Sequence, residues 1–445
     1  MTEHTTSSPS SGIRGSTGLF LAVTCIAQFM VVLDVTVVNV ALPAMKHALH
    51  LSITDQQWII NAYTLTFGGF LLFGGRAADL FGRKTIFLTG LGLFSLASLL
   101  GGLSQTSTEL IAARAVQGIG AAILAPATLS LLTSTFTYPK ERARALTVWG
   151  MTASSGGAVG AVAGGVLTDL TSWRSVLYIN VPIGALLIIG GIKYLHDSRG
   201  TARGIASLDL SGTILVTGGL GAIIYAIVTT DQYSFTSAHT LVLAGIGLAA
   251  VIAFIFNESR IRQPLMPLRL FGNQSLRGGN VIAFLVGATI VGFLFFLSLA
   301  LQQVAGYSPL KAGIALLPSA MGTFVMAIFA GRLAVRYTPR RVIFLGGLGA
   351  GVGILLLAHL GAHSNYWIWV LGPSTLTGAG MGCCFVPMTM AGTAGVAPED
   401  SGIASGLINT SRQLGSALSL AVLAVIASDR TTALLHRHLV TQTGA

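Results

Sequence analysis

Thirteen stretches of mostly apolar residues run through this chain, and each is long enough to cross the ~30 Å hydrocarbon core of a bilayer. Backbone polar groups in lipid must be satisfied within the segment itself, so these stretches are expected to be α-helices. Hydrophobic residues make up 53% of the chain and charged residues only 9%, which excludes a solvated surface over 445 residues. The sequence therefore predicts an all-α polytopic membrane protein. The predicted spans are 17–41, 56–76, 85–103, 108–132, 144–168, 175–194, 208–228, 240–257, 279–302, 313–335, 340–360, 367–391 and 403–428.

The spans fall into three groups along the chain. Residues 17–197 hold six spans, residues 198–258 hold two inserted spans, and residues 259–445 hold five spans and a tail. Residues 1–16 are polar and rich in Ser and Thr, without the pattern of a signal peptide, which predicts a disordered cytoplasmic tail. Because the number of spans is odd, a fourteenth span is expected to be missing.

Lysine and arginine indicate the orientation of the spans. They concentrate in the loops on the N-terminal side of the membrane, whereas the other side carries Lys46, Arg174, Lys311, Arg430 and Arg437. The N-terminus is therefore predicted to be cytoplasmic. Since the basic residues are dispersed over several loops, the net charge of +11 does not indicate nucleic-acid binding.

Clusters of cysteine, histidine and acidic residues, which a metal site or an active site would need, are absent from the sequence pattern. All three cysteines fall within apolar spans, and the nine histidines are spread over loops and tails. We expect no metal, no cofactor and no catalytic residue.

A patterned turn joins the second and third spans. It runs from Gly75 to Lys84 and includes Asp79, Gly82 and Arg83. Asp79 is predicted to pair with Arg83 or with a helix dipole, so that the turn acts as a gating loop. A plain turn that only fixes orientation is the alternative.

Two sequence patterns recur in the second half of the chain and indicate that the two halves are related. The turn recurs at 331–340, and Gly118-x-Gly120 with Pro126 recurs as Gly378-x-Gly380 with Pro387. These repeats predict two pseudo-symmetric six-helix-type bundles with two extra central helices. Alternating-access carriers use such an architecture.

Four further segments are patterned: Leu33-Asp-Val-Thr-Val-Val-Asn-Val-Ala-Leu-Pro43, Arg114-x-x-Gln-Gly118, Gly156-x-x-x-Gly160-x-x-x-Gly164-Gly165, and Trp173-Arg with Asn180-Val-Pro-Ile-Gly184. Together with the turn, they resemble the signatures of the major facilitator superfamily, in its fourteen-span drug:proton antiporter branch. The resemblance covers essentially the whole chain. It departs from the family at Gly160-Ala161, where the usual proline is absent, and at Ala77 and Leu80 of the turn.

Asp34 is the only acid well inside a predicted span, and it lies about 24 Å along the first span at 1.5 Å per residue. An intramembrane carboxylate is costly unless it is paired or protonated, so it is a functional candidate. Arg114 lies at a matching depth in the fourth span and could meet Asp34. The resemblance associates this arginine with proton transfer, and we assign proton coupling to the pair. A buried structural acid and a snorkelling arginine are the alternatives.

Gly156, Gly160, Gly164 and Gly165 leave one face of the fifth span almost without side chains, so another helix can approach closely. The resemblance implies that this face seals the outer side in antiporters, and generic small-residue packing is the alternative. Further polar and aromatic residues could line a cavity, although packing or interfacial anchoring would also explain them: Gln28, Asn39, Trp58, Tyr63, Gln302, Gln303 and Arg412. The partner of Arg412, which lies near the midplane, cannot be named from the sequence.

The favoured function is proton-coupled export of small hydrophobic or monocationic compounds, such as drugs and antibiotics, by a monomer in the plasma membrane. Dications are disfavoured because the later spans contain no second embedded acid. A facilitator of nutrients or metabolites, an inactive truncated transporter and, more distantly, a membrane-embedded enzyme are the alternatives.

Overall fold

The structure, a computed structural model, describes residues 11–136, 138–195, 209–231, 233–234, 236–261, 264–361, 364–397 and 400–443, with only the backbone given for some helical residues. These residues are helical apart from short connections, and no strand occurs among them. The helices are α1 (Ser11–Leu49), α2 (Ile53–Phe81), α3 (Arg83–Leu103), α4 (Ser107–Thr135), α5 (Pro139–Leu170), α6 (Ser175–Tyr178), α7 (Asn180–Tyr194), α8 (Leu210–Val228), α9 (Ala238–Arg260), α10 (Gln274–Leu299), α11 (Pro309–Tyr337), α12 (Pro339–Leu357), α13 (Gly372–Gly392) and α14 (Ser401–Thr443).

Each predicted span coincides with a helical segment, which confirms the all-α polytopic architecture. The pair α6 and α7 forms one segment, and helical turns at Ala300–Val304 and Trp367–Leu371 extend α10 and precede α13. Eleven helices in the described ranges are long and apolar enough to cross a membrane. The helices α5 and α13 do not reach that hydropathy, because glycine, threonine and, in α13, two prolines dilute their apolar residues.

The first helix begins earlier than the predicted span. The structure describes residues 11–16, the end of the predicted disordered tail, as the start of α1, and residues 1–10 lie outside the described residues. Several other helix starts are set by capping side chains. Ser52 and Asp55 form a reciprocal capping box at α2, and Ser308 caps α11 by accepting a hydrogen bond from the Lys311 backbone.

The packing pattern repeats between the two halves. In the first half α2 packs on α4, α3 on α4 and α1 on α5, and in the second half α11 packs on α13, α12 on α13 and α10 on α14. The repeated Gly-x-Gly pattern of α4 and α13 has the same basis. Gly118 lies against the α2 backbone at Tyr63, and Gly378 lies against the α11 backbone at Ser319. The two bundles are thus built by one packing scheme.

The predicted turn at Gly75 to Lys84 is much shorter than the sequence indicated. Helix α2 continues to Phe81 and α3 begins at Arg83, so Gly82 alone breaks the helix, with φ 95° and ψ 134°. Its counterpart Thr338 breaks α11 from α12 with φ 77° and ψ 142°. The prediction of a ten-residue turn was wrong because charged residues end an apolar window without ending a helix.

The two bundles meet chiefly through α5 with α11 and α2 with α14, and α1 adds contacts to α10 and α11. The inserted helices α8 and α9 pack on each other, and α8 also contacts α2 and α14. The inserted pair therefore covers the α2–α14 side of the bundle interface.

Candidate functional site

Asp34 on α1 is fully buried at the centre of a polar cluster. Its Oδ2 lies 2.5 Å from Nη1 of Arg114 on α4, and its Oδ1 accepts hydrogen bonds from Gln117 Nε2 at 2.8 Å and Asn180 Nδ2 at 2.9 Å. The structure thus brings together the acid and the arginine that the sequence paired by depth. Both carboxylate oxygens are occupied by hydrogen-bond donors from α4 and α7.

Arg114 is only 2% exposed and is held on several sides. Its Nη1 also donates to Gln117 Oε1 at 2.6 Å, its Nε donates to the Ile59 carbonyl at 3.3 Å, and its Cζ lies 4.2 Å from the centre of the Tyr63 ring. The tyrosine hydroxyl has no hydrogen-bond partner among the described residues. The guanidinium is therefore enclosed by α1, α2 and α4, and it does not reach an interface.

Two amides in this cluster were not predicted as site residues. Gln117 lies one turn after Arg114 on α4, within reach of both charges. Asn180 begins α7 and links Asp34 to Ser98 Oγ at 3.0 Å, which in turn donates to the Leu177 carbonyl at 2.8 Å. Both amides belong to patterned segments, but their position beside Asp34 depends on the three-dimensional packing.

The glycine face of α5 packs mainly on α1. A Cβ atom at Gly156 would lie 3.1 Å from the Phe29 carbonyl oxygen, one at Gly160 would lie 2.9 Å from Thr36 Cβ, and one at Gly164 would lie 2.9 Å from Val37 Cα. Gly165 instead faces α11, where a Cβ would lie 2.7 Å from the Pro309 carbonyl oxygen. These glycines press α5 against the part of α1 that carries Asp34, and they bring α5 against the other bundle.

The residues of the predicted gating turn contact two neighbouring elements. Arg76 Nη1 donates to the Pro264 carbonyl at 2.6 Å, and Lys84 Nζ donates to the Ile192 carbonyl at 2.9 Å. The Asp79 side chain lies outside the described residues. Gly75 has room for a Cβ, and Arg83 is the first residue of α3.

The candidate cavity residues lie in different places. Gln28 lies on α1 with its Oε1 3.4 Å from Thr128 Oγ1, which accepts a hydrogen bond from the Trp149 indole at 3.2 Å. Trp58 packs on Tyr225 of α8, with 6.0 Å between ring centres. Gln303 is exposed at the end of the α10 segment.

Asn39 and Gln302 lie where the two bundles touch. Ser298 Oγ donates to the Asn39 carbonyl at 3.1 Å, and Gln302 Nε2 donates to the Val40 carbonyl at 3.0 Å. The Oδ1 atom of Asn39 is buried and has no partner among the described residues. These bonds tie α1 to α10 on the membrane face that carries the α1–α2 connection, called here the α1–α2 face.

Arg412 lies on α14, and its Nη2 donates to Asn409 Oδ1 at 2.7 Å. Its Cζ lies 5.7 Å from the centre of the Phe385 ring on α13. The described residues place no carboxylate within ion-pair distance of it.

The sequence profile described as Major Facilitator Superfamily matches residues 24–420. The chain belongs to the Major Facilitator Superfamily. Among related members, the cephamycin export protein CmcT of Amycolatopsis lactamdurans is 41% identical over 94% of this chain and 86% of its own length. The puromycin resistance protein pur8 of Streptomyces alboniger is 41% identical over 94% of this chain and 83% of its own length. The multidrug resistance protein Stp of Mycobacterium tuberculosis (strain CDC 1551 / Oshkosh) is 33% identical over 95% of this chain and 78% of its own length.

The crystal structure of another protein has a similar fold. It is that of a bacterial homologue of the human lysosomal transporter Spinster, in an inward-facing and unoccupied conformation. The TM-score is 0.64 at 18% identity, and the match covers 98% of this chain and 86% of the other. The likeness concerns the fold alone.

Proposed function

We propose that this chain is a proton-coupled exporter of small hydrophobic compounds, with Asp34 as the proton-binding group. The observation that carries the proposal is the fully buried Asp34–Arg114 pair at the centre of the first bundle. The names of its relatives, which refer to cephamycin export, puromycin resistance and multidrug resistance, support efflux as the direction of transport.

Asp34 can couple a proton to a structural change because its charge is compensated locally. A proton on Oδ2 would remove the attraction to Arg114 and leave a buried guanidinium without its counter-charge, which is unfavourable. The arrangement of α1 and α4 would then have to change, or water would have to enter. Proton binding at this site thus favours a different conformation.

Helix α1 connects the proton site to the contact between the bundles. Asn39 and Val40, whose carbonyls accept from α10, lie about 8 Å beyond Asp34 along the helix. The glycine face of α5 packs closely on the same part of α1. Gly165 of α5 contacts α11 of the other bundle. A shift of α1 after protonation would therefore strain the contacts that join the bundles on the α1–α2 face.

The loop charges favour the α1–α2 face as the outer one, with the N-terminus in the cytoplasm of a plasma-membrane protein. In that orientation the described conformation is sealed outside by α1–α10 and α5–α11. Labelling of single cysteines placed at Gln105 and Arg340 by an impermeant maleimide checks this, because only the cysteine at 105 should react from outside the cell.

Transport of a neutral hydrophobic dye such as Nile red into inside-out membrane vesicles tests the function. Exchange of one proton for one neutral molecule should give about tenfold accumulation per unit of ΔpH, since one pH unit corresponds to 1.36 kcal/mol. An uncoupler should abolish accumulation. Asp34→Asn should abolish uphill uptake but retain downhill exchange, whereas Asp55→Asn, which alters a partly exposed acid that caps α2, should behave as wild type.

Full uphill uptake by Asp34→Asn would contradict the assignment of Asp34. Equilibration of the dye by the wild type without accumulation would instead identify a facilitator, and absence of any dye transport would count against export of neutral compounds.

A further inference from the structure

Arg412 lies about 17 Å along α14, deep within the helix. It shares a helix face with Asn409 and Ser416, at spacings of three and four residues. Ser416 Oγ donates to the Gly287 carbonyl of α10 at 3.0 Å, while the next residue, Gln413, packs on Gly68 of α2. The backbone of Arg412 therefore lies against α10, its guanidinium lies beside Phe385 of α13, and the next residue of α14 packs on the other bundle.

The charge of Arg412 is not compensated by the part of the chain that the structure describes. Its one side-chain hydrogen bond to a described residue goes to the neutral amide of Asn409, at 2.7 Å. The embedded acid Asp34 is occupied by Arg114, Gln117 and Asn180. An unpaired guanidinium within the membrane is costly and is by default a functional candidate.

Arg412 as a whole residue is partly exposed, whereas Gln413 and Ser416 beside it are buried. Partial access at this depth is what a ligand-contacting group requires. The guanidinium has five N–H donors in a planar fork, and Asn409 uses one of them. The remaining donors suit bidentate binding of a carboxylate.

An apolar surface adjoins the charge. The Phe385 ring of α13 lies 5.7 Å from the Arg412 Cζ. A ligand whose carboxylate meets the guanidinium could place an aromatic or aliphatic body on this ring. The guanidinium and the ring together favour a hydrophobic anion. The positive charge of the guanidinium repels monocations, which the sequence analysis had included among the possible substrates.

We propose that Arg412 binds the carboxylate of the exported compound, so that the preferred substrates are small hydrophobic anions. This inference rests on the proposed export function and names the substrate class. It also changes the energetics of transport. Exchange of one proton for one anion moves two positive charges inward per cycle, against one for a neutral compound, so the membrane potential contributes twice as much.

Binding of two matched probes to the purified full-length protein in nanodiscs tests the inference at constant pH. The probes are 1-pyrenebutyrate and its methyl ester, which differ in the carboxylate alone, and energy transfer from tryptophan reports binding. The wild type should bind the carboxylate about ten- to a hundredfold more tightly than the ester, the range expected for charge-assisted hydrogen bonds. Arg412→Gln should remove this preference while the ester affinity changes by less than about twofold.

Two further variants separate recognition from folding. Arg412→Lys keeps the charge without the fork and should retain an intermediate preference, and Arg277→Gln, which removes an exposed cation at the start of α10, should bind as wild type. Loss of the preference in a variant that still binds the ester cannot be due to misfolding.

Equal affinity of the wild type for the two probes, a preference for the ester, no binding of the carboxylate, or an undiminished preference in Arg412→Gln would overturn the inference. Uphill Nile red transport by the wild type, measured separately in vesicles, would then still support the export function. Failure of both assays would count against the export function itself.

Discussion

At the residue scale, the decisive feature is how many donors hold the Asp34 carboxylate. Arg114 binds one oxygen, and the neutral amides of Gln117 and Asn180 bind the other. Each donor restricts where the carboxylate can lie relative to Arg114. The amides therefore orient the acid without carrying charge themselves.

Asn180→Ala should lower the initial rate of uphill Nile red uptake about tenfold, because Asp34 loses a charge-assisted hydrogen bond that holds its carboxylate in place. Initial uptake rates in inside-out vesicles measure this. Asn365→Ala, which alters an exposed asparagine that caps a helical turn far from Asp34, is the matched control. An unchanged rate in Asn180→Ala would show that this amide does not position the acid.

The sequence was sufficient to predict that Asp34 and Arg114 could meet, because their depths follow from helix rise. The same reasoning could not assign Gln117 or Asn180, since a neutral amide inside a span carries no such signal. The sequence also indicated no partner for Arg412. The reason is physical, because the described contacts of its guanidinium are an amide and an aromatic ring, and neither is an acid that charge pairing would predict.

At the element scale, two single-residue breaks separate long helices in equivalent places. Gly82 and Thr338 both have positive φ, at 95° and 77°. Glycine adopts this region without steric cost, whereas a β-branched residue is strained there. The second bundle thus stores strain at a point where the first bundle has none.

Thr338→Gly should stabilise the protein by about 1 kcal/mol, because the relief of strain exceeds the added entropy of the unfolded chain. The converse change, Gly82→Thr, should destabilise it by about 1–3 kcal/mol. Unfolding by SDS titration gives both free energies. A loss of stability in Thr338→Gly would mean that the break is not strained.

Helix α5 offers a direct comparison of two glycines on one helix. A Cβ at Gly164 would lie 2.9 Å from the Val37 Cα, part of a backbone that cannot move aside, while a Cβ at Gly157 would have nothing closer than Thr36 Oγ1 at 4.0 Å. Alanine also favours a helix over glycine by about 1 kcal/mol. The two substitutions therefore have opposite expected signs.

Gly157→Ala should leave the thermal stability unchanged or higher and keep transport, whereas Gly164→Ala should lower both by forcing α5 away from α1. Thermal unfolding of the purified variants and dye uptake in vesicles measure the two effects. Equal behaviour of the two variants would show that close α1–α5 packing is not required.

Apolar window length identified every long helix that the structure describes, with α6 and α7 in one span, because crossing a bilayer demands long helical segments. It could not identify where the helices end. The charges at Arg76 and Arg83 suggested an extended turn, but charged residues form helices readily outside lipid, and only the backbone of Gly82 ends α2.

At the scale of the whole molecule, the two bundles close the α1–α2 face through facing glycines. A Cβ at Gly165 of α5 would meet the backbone of Pro309 and Leu310, and a Cβ at Gly313 of α11 would meet the backbone of Ala161. The internal sequence repeats predicted two related bundles. They could not predict this contact, because it joins α5 and α11, which are not equivalent in the repeat.

An exporter that works by alternating access must break the α5–α11 contact once per cycle, so its strength sets how often the α1–α2 face is open. Gly165→Ala adds a methyl group that clashes in the conformation described here and has no contact to lose when the bundles part. A ligand or substitution shifts a two-state equilibrium only through such a difference between the states. About 1.4 kcal/mol of clash would raise the open population tenfold.

Spin labels at Leu170→Cys and Lys311→Cys, in a background whose native cysteines are replaced, would report this population by pulsed EPR, since both positions are exposed at the ends of the two helices. Gly165→Ala should enlarge the long-distance component of the distribution, and Gly157→Ala on the same helix should not. An unchanged distribution in Gly165→Ala would show that the facing glycines do not control the closed state, and the seal would then depend on the bonds of Ser298 and Gln302 to α1.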